Sequence, residues 1–277
     1  MIGKAMTVVA AAAASAALAA AGGPAMPTGF LFRSLTLDGH ELKASVYVPR
    51  AYDPSRTWPL ILFLHGSGES GTDGSRELAQ GLPRELVWNP DLWPFVVVIP
   101  QKPSQDTEWE QYELELMTML AQVRREYAVD PARIVLTGLS QGGHGAWVLG
   151  ARHPELWAAV VAVCGYGPAP GDQPGVFKGA HAQLADRIKA IPVWAFHGEA
   201  DDVVPVAETR TMIAELEKAG AKSRVTVYPG VGHGCWERAY GEPELPRWLL
   251  AGRQAYGVTP CPERVAEGHP VTYDYGG

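Results

Sequence analysis

Cysteine is scarce in this chain of 277 residues. The three present, Cys164, Cys235 and Cys261, are too few and too scattered for a disulfide scaffold or a paired-cysteine zinc site, so no structural metal is expected. A basic surplus is lacking too. Lysine and arginine number 23 against 30 acidic residues, a net charge of -7, which offers nothing to a phosphate backbone and argues against a nucleic-acid partner. Repeats, charge blocks and linkers are absent between Gly29 and Leu250, which predicts one domain there. What is present, 47% hydrophobic and 19% charged residues, suits a soluble chain with a large core.

The longest apolar stretch lies at the start. Lys4 precedes an alanine-rich run from Met6 to Ala21, followed by Gly22, Gly23 and Pro24. At roughly 16 residues the run is short of the roughly 20 needed to span a bilayer, and its small residues suit a signal peptidase. We read residues 1–23 as a signal peptide cleaved between Ala19 and Gly23, residues 24–255 as the folded domain and residues 256–277 as an irregular extension. A secreted or periplasmic protein without stable membrane insertion is the expectation; an uncleaved anchor or a disordered alanine-rich leader is the alternative. No cysteine follows the run to take a lipid anchor. In an exported protein Cys261 could pair with Cys235 and staple the extension to the domain, the alternative being two free thiols.

Short apolar runs bounded by Gly, Pro and Asp alternate with segments of helical period. Strands are expected at Leu42–Val48, Leu60–Leu64, Phe95–Ile99, Arg133–Thr137, Ala158–Val163, Val193–His197 and Arg224–Tyr228. Most of these runs are continuous rather than alternating, as in strands covered on both faces, which predicts a mostly parallel sheet between two helical layers. Helices are expected at Glu108–Tyr127, with Leu114, Met117, Leu120 and Ala121 on one face, and at Val206–Ala219, ended by Gly220.

Arg133–Thr137 runs into Gly138-Leu139-Ser140-Gln141-Gly142-Gly143 and then a helical stretch. A serine on so sharp a strand-to-helix turn needs glycines two residues before and after it, because the neighbouring chain passes too close for side chains. The pentapeptide alone is weak; its place between a strand and a helix makes Ser140 a candidate nucleophile. A serine hydroxyl needs a histidine base and a carboxylate to orient it. The loop His197-Gly198-Glu199-Ala200-Asp201-Asp202 supplies acids, of which Asp201 is preferred, with Asp202 and Glu199 as rivals. His233, in the glycine-flanked loop Gly230–Gly234, is the candidate base. His197, at a strand end, reads as a buried structural histidine. For the transition-state oxyanion, the amides of Gln141 and of Ser67, in the turn His65-Gly66-Ser67-Gly68, are the candidate donors.

Taken together, Leu64–Glu69, Asp130–Ile134, Gly138–Gly143, His197–Asp201 and Gly232-His233 resemble the α/β-hydrolase superfamily. The likeness is nearest to small secreted esterases of its carboxylesterase/phospholipase and dienelactone-hydrolase-like branch, related to feruloyl and acetylxylan esterases. The resemblance covers roughly Thr28 to Leu250. It implies the three-layer α/β-hydrolase fold and cofactor-free serine hydrolysis of a small or polymer-linked ester by Ser140, His233 and Asp201. Only about 27 residues, Gly165 to Ile191, separate two of the expected strands, so no large cap domain is expected. An open cleft suits feruloyl or acetyl esters of plant-wall carbohydrate, with Trp236 and Trp109 as candidate aromatic contacts. A serine peptidase related to prolyl oligopeptidase and a non-hydrolytic binding scaffold are the alternatives.

Overall fold

The computed structural model describes residues 26–37, 40–168 and 181–251. The expected signal peptide, the extension over 256–277 and Cys261 with its proposed bridge lie outside the described residues. Eight strands form one sheet: β1 (Gly29–Leu37), β2 (His40–Val48), β3 (Trp58–Leu64), β4 (Val96–Gln101), β5 (Val129–Leu139), β6 (Ala159–Val163), β7 (Val193–Gly198) and β8 (Ser223–Tyr228). Their spatial order is β1-β2-β4-β3-β5-β6-β7-β8. β1 and β2 pair antiparallel, β2 meets β4 antiparallel, and all later pairs are parallel.

The helices are α1 (Leu82–Trp88), α2 (Glu113–Glu126), α3 (Gln141–Arg152), α4 (His181–Ile188), α5 (Val206–Lys218), α6 (Trp236–Tyr240) and α7 (Glu244–Ala251). They divide between the two sheet faces as strand alternation requires. Leu60, Leu62 and Leu64 of β3 face a core completed by α2, α3, α4 and α5, whereas Ile61 and Phe63 face one completed by α1, α6 and α7. Both sets are fully buried, which is why the strand reads as an unbroken apolar run. Each such side chain contributes about 1.5–3 kcal/mol through its removal from water.

Three details depart from expectation. β1 is an additional edge strand, with Phe32 65% exposed, so its sequence carries no core pattern. A 3-10 turn at Trp109–Tyr112 precedes α2, whose buried stripe is Leu116, Met119, Leu120 and Val123, while Leu114 faces solvent. α3 begins at Gln141, immediately after the serine. Among the described residues no large cap covers the carboxyl ends of the parallel strands.

Two connections at that end are held tightly. A Cβ on Gly142 would lie 2.0 Å from Leu64 O, and one on Gly138 would lie 2.2 Å from Gly142 O, so the turn after β5 is pressed against the end of β3. After β3, the buried His65 ring accepts the Lys102 amide at Nε2 (2.9 Å) and donates from Nδ1 to Gly66 O (2.5 Å). This arrangement needs the neutral ring, and burial drives the His65 pKa down to about 3, with Lys102 nearby opposing a second positive charge.

Two stability measurements follow from these contacts. Gly142→Ala forces the turn away from β3 and should cost about 2–3 kcal/mol, lowering the melting temperature by roughly 5–10 °C. Below about pH 6.5 the unfolded chain binds a proton at residue 65 that the folded chain refuses until about pH 3, so His65 withdraws stability as pH falls. In urea titrations, wild type should lose about 2 kcal/mol more than His65→Asn between pH 7 and pH 5. Equal losses would show that the ring is not held neutral.

Candidate active site

Ser140 sits at φ 52°, ψ -118°, a strained conformation fixed by the glycine contacts and by its amide, which donates to Val163 O on β6 (2.8 Å). It occupies the N-cap position of α3, at the partial positive end of the helix, without a side-chain hydrogen bond to the helix amides. His233 arrives on the loop after β8, and Gly198 lets that loop cross the end of β7, since a Cβ there would lie 2.2 Å from Gly232 O. Ala200 N–H donates to Val231 O (2.9 Å) and Glu199 N–H to Tyr228 O (3.0 Å), which locks the acid and histidine loops together.

The three side chains form a continuous chain of hydrogen bonds. His233 Nε2 lies 2.9 Å from Ser140 Oγ, and His233 Nδ1 lies 2.7 Å from Asp201 Oδ2. The other Asp201 oxygen accepts the amides of Val203 and Val204, each at 2.9 Å. Burial pushes the Asp201 carboxyl up, but His233 and these two amides outweigh it and hold the pKa below the ordinary carboxylate range. Of the acids considered, the structure brings Asp201 to His233 and leaves Asp202 and Glu199 exposed to solvent.

Sequence reasoning missed a second histidine at this carboxylate. His197 is fully buried, as expected of a structural residue, yet its Nε2 lies 3.1 Å from Asp201 Oδ2 as well as 2.9 Å from Val204 O. Thr209 Oγ1 is 2.8 Å from its Nδ1. Burial lowers the His197 pKa, so the neutral ring donates from Nε2 and accepts from the threonine. Its position at the end of β7, four residues before Asp201, was the available signal.

The amides of Ser67 and Gln141 have no hydrogen-bond partner among the described residues, and the turn bearing Ser67 lies against the serine: a Cβ on Gly66 would be 3.4 Å from Ser140 Cβ. Trp236 is partly buried beside His233, with ring centroids 5.4 Å apart and planes perpendicular. Trp109 does not reach the site. It is wholly buried, its indole N–H bonds His65 O (3.0 Å) and its ring meets the His65 ring edge-on, so it supports the turn bearing Ser67 instead of facing the site.

Two groups of potential metal ligands occur among the described residues, each with donor atoms within 4.8 Å of one another. One is Cys164 with Asp201 and His233, atoms of the site itself. In the other, Glu108, Glu110 and His144 are partly engaged: Tyr166 donates to Glu108 Oε1 (2.8 Å), His144 Nε2 faces Glu110 Oε1 (3.4 Å) and Nδ1 lies 2.7 Å from Gly167 O, while Glu108 Oε2 and Glu110 Oε2 are buried without a partner among the described residues. Burial works against charge on His144, but the two carboxylates and the carbonyl raise its pKa, which favours an ion pair over a vacant ligand.

Known proteins share this arrangement of strands. A carboxymethylenebutenolidase of Escherichia coli O157:H7, so named provisionally, is 34% identical over 104 residues, which cover 38% of this chain and 37% of that protein. The chain thus spans little more than a third of that relative's length. The crystal structure of a thermostable esterase superposes with a TM-score of 0.66 at 32% identity, covering 80% of this chain and 62% of the other. A ferulic acid esterase from Anaeromyces mucronatus gives a TM-score of 0.63 over 82% of this chain and 93% of its own, where 17% identity speaks for the fold alone. Residues 103–244, just over half of the chain, match the dienelactone hydrolase family. The chain is a member of that family and has the α/β-hydrolase fold.

Proposed function

We propose that this protein is a serine esterase that hydrolyses carboxylic esters through an acyl-enzyme on Ser140. The observation that carries this reading is the unbroken path Ser140 Oγ–His233–Asp201, at 2.9 and 2.7 Å. His233 Nε2 takes the hydroxyl proton as Oγ bonds to the ester carbonyl carbon, and the former carbonyl oxygen collects negative charge opposite the Ser67 and Gln141 amides. Asp201 accepts from Nδ1 and stabilises the imidazolium. Collapse breaks the bond to the alcohol oxygen, which leaves with the proton from Nε2. A water then repeats the sequence on the acyl-serine, releasing the acid and restoring the hydroxyl.

For the substrate class we propose uncapped access to bulky acyl groups, with feruloyl or acetyl esters of plant-wall carbohydrate as the choice. Support comes from the absence of a large cap among the described residues and from the Trp236 ring beside the base. A secreted or periplasmic location completes the proposal, resting on the leader in residues 1–23.

A p-nitrophenyl acetate assay on the purified chain tests the mechanism. Ser140→Ala should lower kcat by about 10⁶-fold and Asp201→Asn by about 10⁴-fold. Activity that survives Ser140→Ala would remove the reading. If the Trp236 ring receives the acyl group, Trp236→Ala should raise KM for feruloyl esters about fivefold and change it less than about twofold for acetyl esters. Equal shifts on the two series would assign the ring to packing on His233.

A further inference from the structure

Glu69 ends the turn that carries Ser67, and it is only 5% exposed. Both carboxylate oxygens are occupied. Oε2 accepts the Gly66 amide (3.0 Å) and Oε1 accepts Gln80 Nε2 (2.7 Å), while the Glu69 carbonyl accepts Gln101 Nε2 (3.2 Å). The Gly66 Cα faces both this carboxylate and the nucleophile: a Cβ there would lie 3.2 Å from Glu69 Oε2 and 3.4 Å from Ser140 Cβ. Burying a carboxylate opposes folding, and burial raises its pKa, so a packing role alone would be served better by an apolar side chain.

The two peptide planes around Gly66 show what the carboxylate achieves. In the first, the Gly66 N–H is tied to Glu69; in the second, the Gly66 carbonyl is tied to the His65 ring. A trans peptide holds its N–H opposite its carbonyl, so with Gly66 O turned toward His65 the Ser67 N–H projects the other way, away from that ring. Either plane could rotate if its anchor were lost, because glycine at position 66 imposes little restraint of its own. We infer that Glu69 is a positioning residue for the oxyanion: by binding the Gly66 amide and Gln80 at once, it fixes the orientation in which the Ser67 amide meets the developing charge. This deepens the esterase reading above and rests on it.

Methionine in place of Glu69 tests the idea with little change of volume, because it offers no acceptor and leaves the Gly66 N–H unpaired. Glutamine keeps one acceptor: its oxygen can hold the Gly66 N–H while Gln80 turns its own amide oxygen toward the new N–H₂ group. With the full chain and p-nitrophenyl acetate, Glu69→Met should lower kcat by about 10- to 100-fold, less than the loss of an oxyanion donor, with KM within about twofold. Glu69→Gln should keep kcat within about threefold of wild type. Hydrogen exchange at the Gly66 amide, followed by NMR, should speed up in Glu69→Met irrespective of turnover.

A kcat within twofold of wild type in Glu69→Met, a loss of the same size in Glu69→Gln, or unaltered Gly66 exchange in Glu69→Met would each overturn the inference. An inactive wild type would overturn the esterase reading instead, and Gly66 exchange would then decide the role of Glu69 by itself.

Discussion

The turn at Ser140 touches the end of β3 more closely than any side chain permits, and the positions of the other functional groups follow from that contact. With hydrogen alone at position 142, the Leu64 carbonyl can lie where a Cβ would be only 2.0 Å away. The approach brings the turn bearing Ser67, which continues directly from Leu64, against the serine. It also sets the start of α3, which begins immediately after the serine. The serine conformation at positive φ is costly by itself and persists because packing on both sides leaves no room to relax. Gly143 repeats the device toward β6, where a Cβ would meet Val163 O at 2.7 Å. Backbone contact thus turns the stability of two buried layers into the precision of one hydroxyl.

The same economy governs the acid. Asp201 receives two backbone amides on one oxygen and two histidine rings on the other, so no lone pair needed for its charge is left to chance. His197, kept neutral by burial, donates without adding a second cation beside the imidazolium that the proposed mechanism would form at His233. Thr209 fixes the tautomer that permits this donation, and it lies on α5, an element whose apolar face is otherwise committed to the core. The helical layer on one face of the sheet therefore reaches the Asp201 carboxylate through one hydroxyl and one ring.

Much of this was legible in the sequence, and the unevenness has physical causes. Most of the seven expected strands announced themselves because burial on both faces demands unbroken apolar runs, whereas β8, at one sheet edge with Val225 exposed, showed only alternation, and β1, at the other edge with Phe32 in solvent, was not read at all. The α2 stripe was read out of phase because the 3-10 turn at Trp109–Tyr112 breaks the helical period before the helix begins. Ser140 and His233 were visible through glycines that close backbone approach requires. Trp109 and Trp236 were not separable, since composition carries no information on side-chain direction: one lies under the oxyanion turn and the other beside the base. Glu69 and the Asp201 contact of His197 were hidden for a related reason. Their meaning lies in partners made by the fold, not in spacing along the chain.

Strand order also explains a residue that the chemistry does not use. Ser140 follows β5, Asp201 follows β7 and His233 follows β8, so the end of β6 passes between Ser140 and Asp201. The side chain there must be small and must tolerate a carboxylate and an imidazole as neighbours. Cys164 meets both conditions: it is fully buried and its Sγ lies within 4.8 Å of donor atoms of Asp201 and His233. Burial, reinforced by the neighbouring Cys235, drives its pKa well up, so it stays an uncharged thiol and adds no negative charge beside the acid. A larger side chain at this point would have to displace the histidine loop, since Cys164 also adopts φ 40° and cannot turn aside without moving the end of the strand. The geometry that joins Ser140 to His233 therefore depends on what β6 leaves out as much as on what the flanking loops supply.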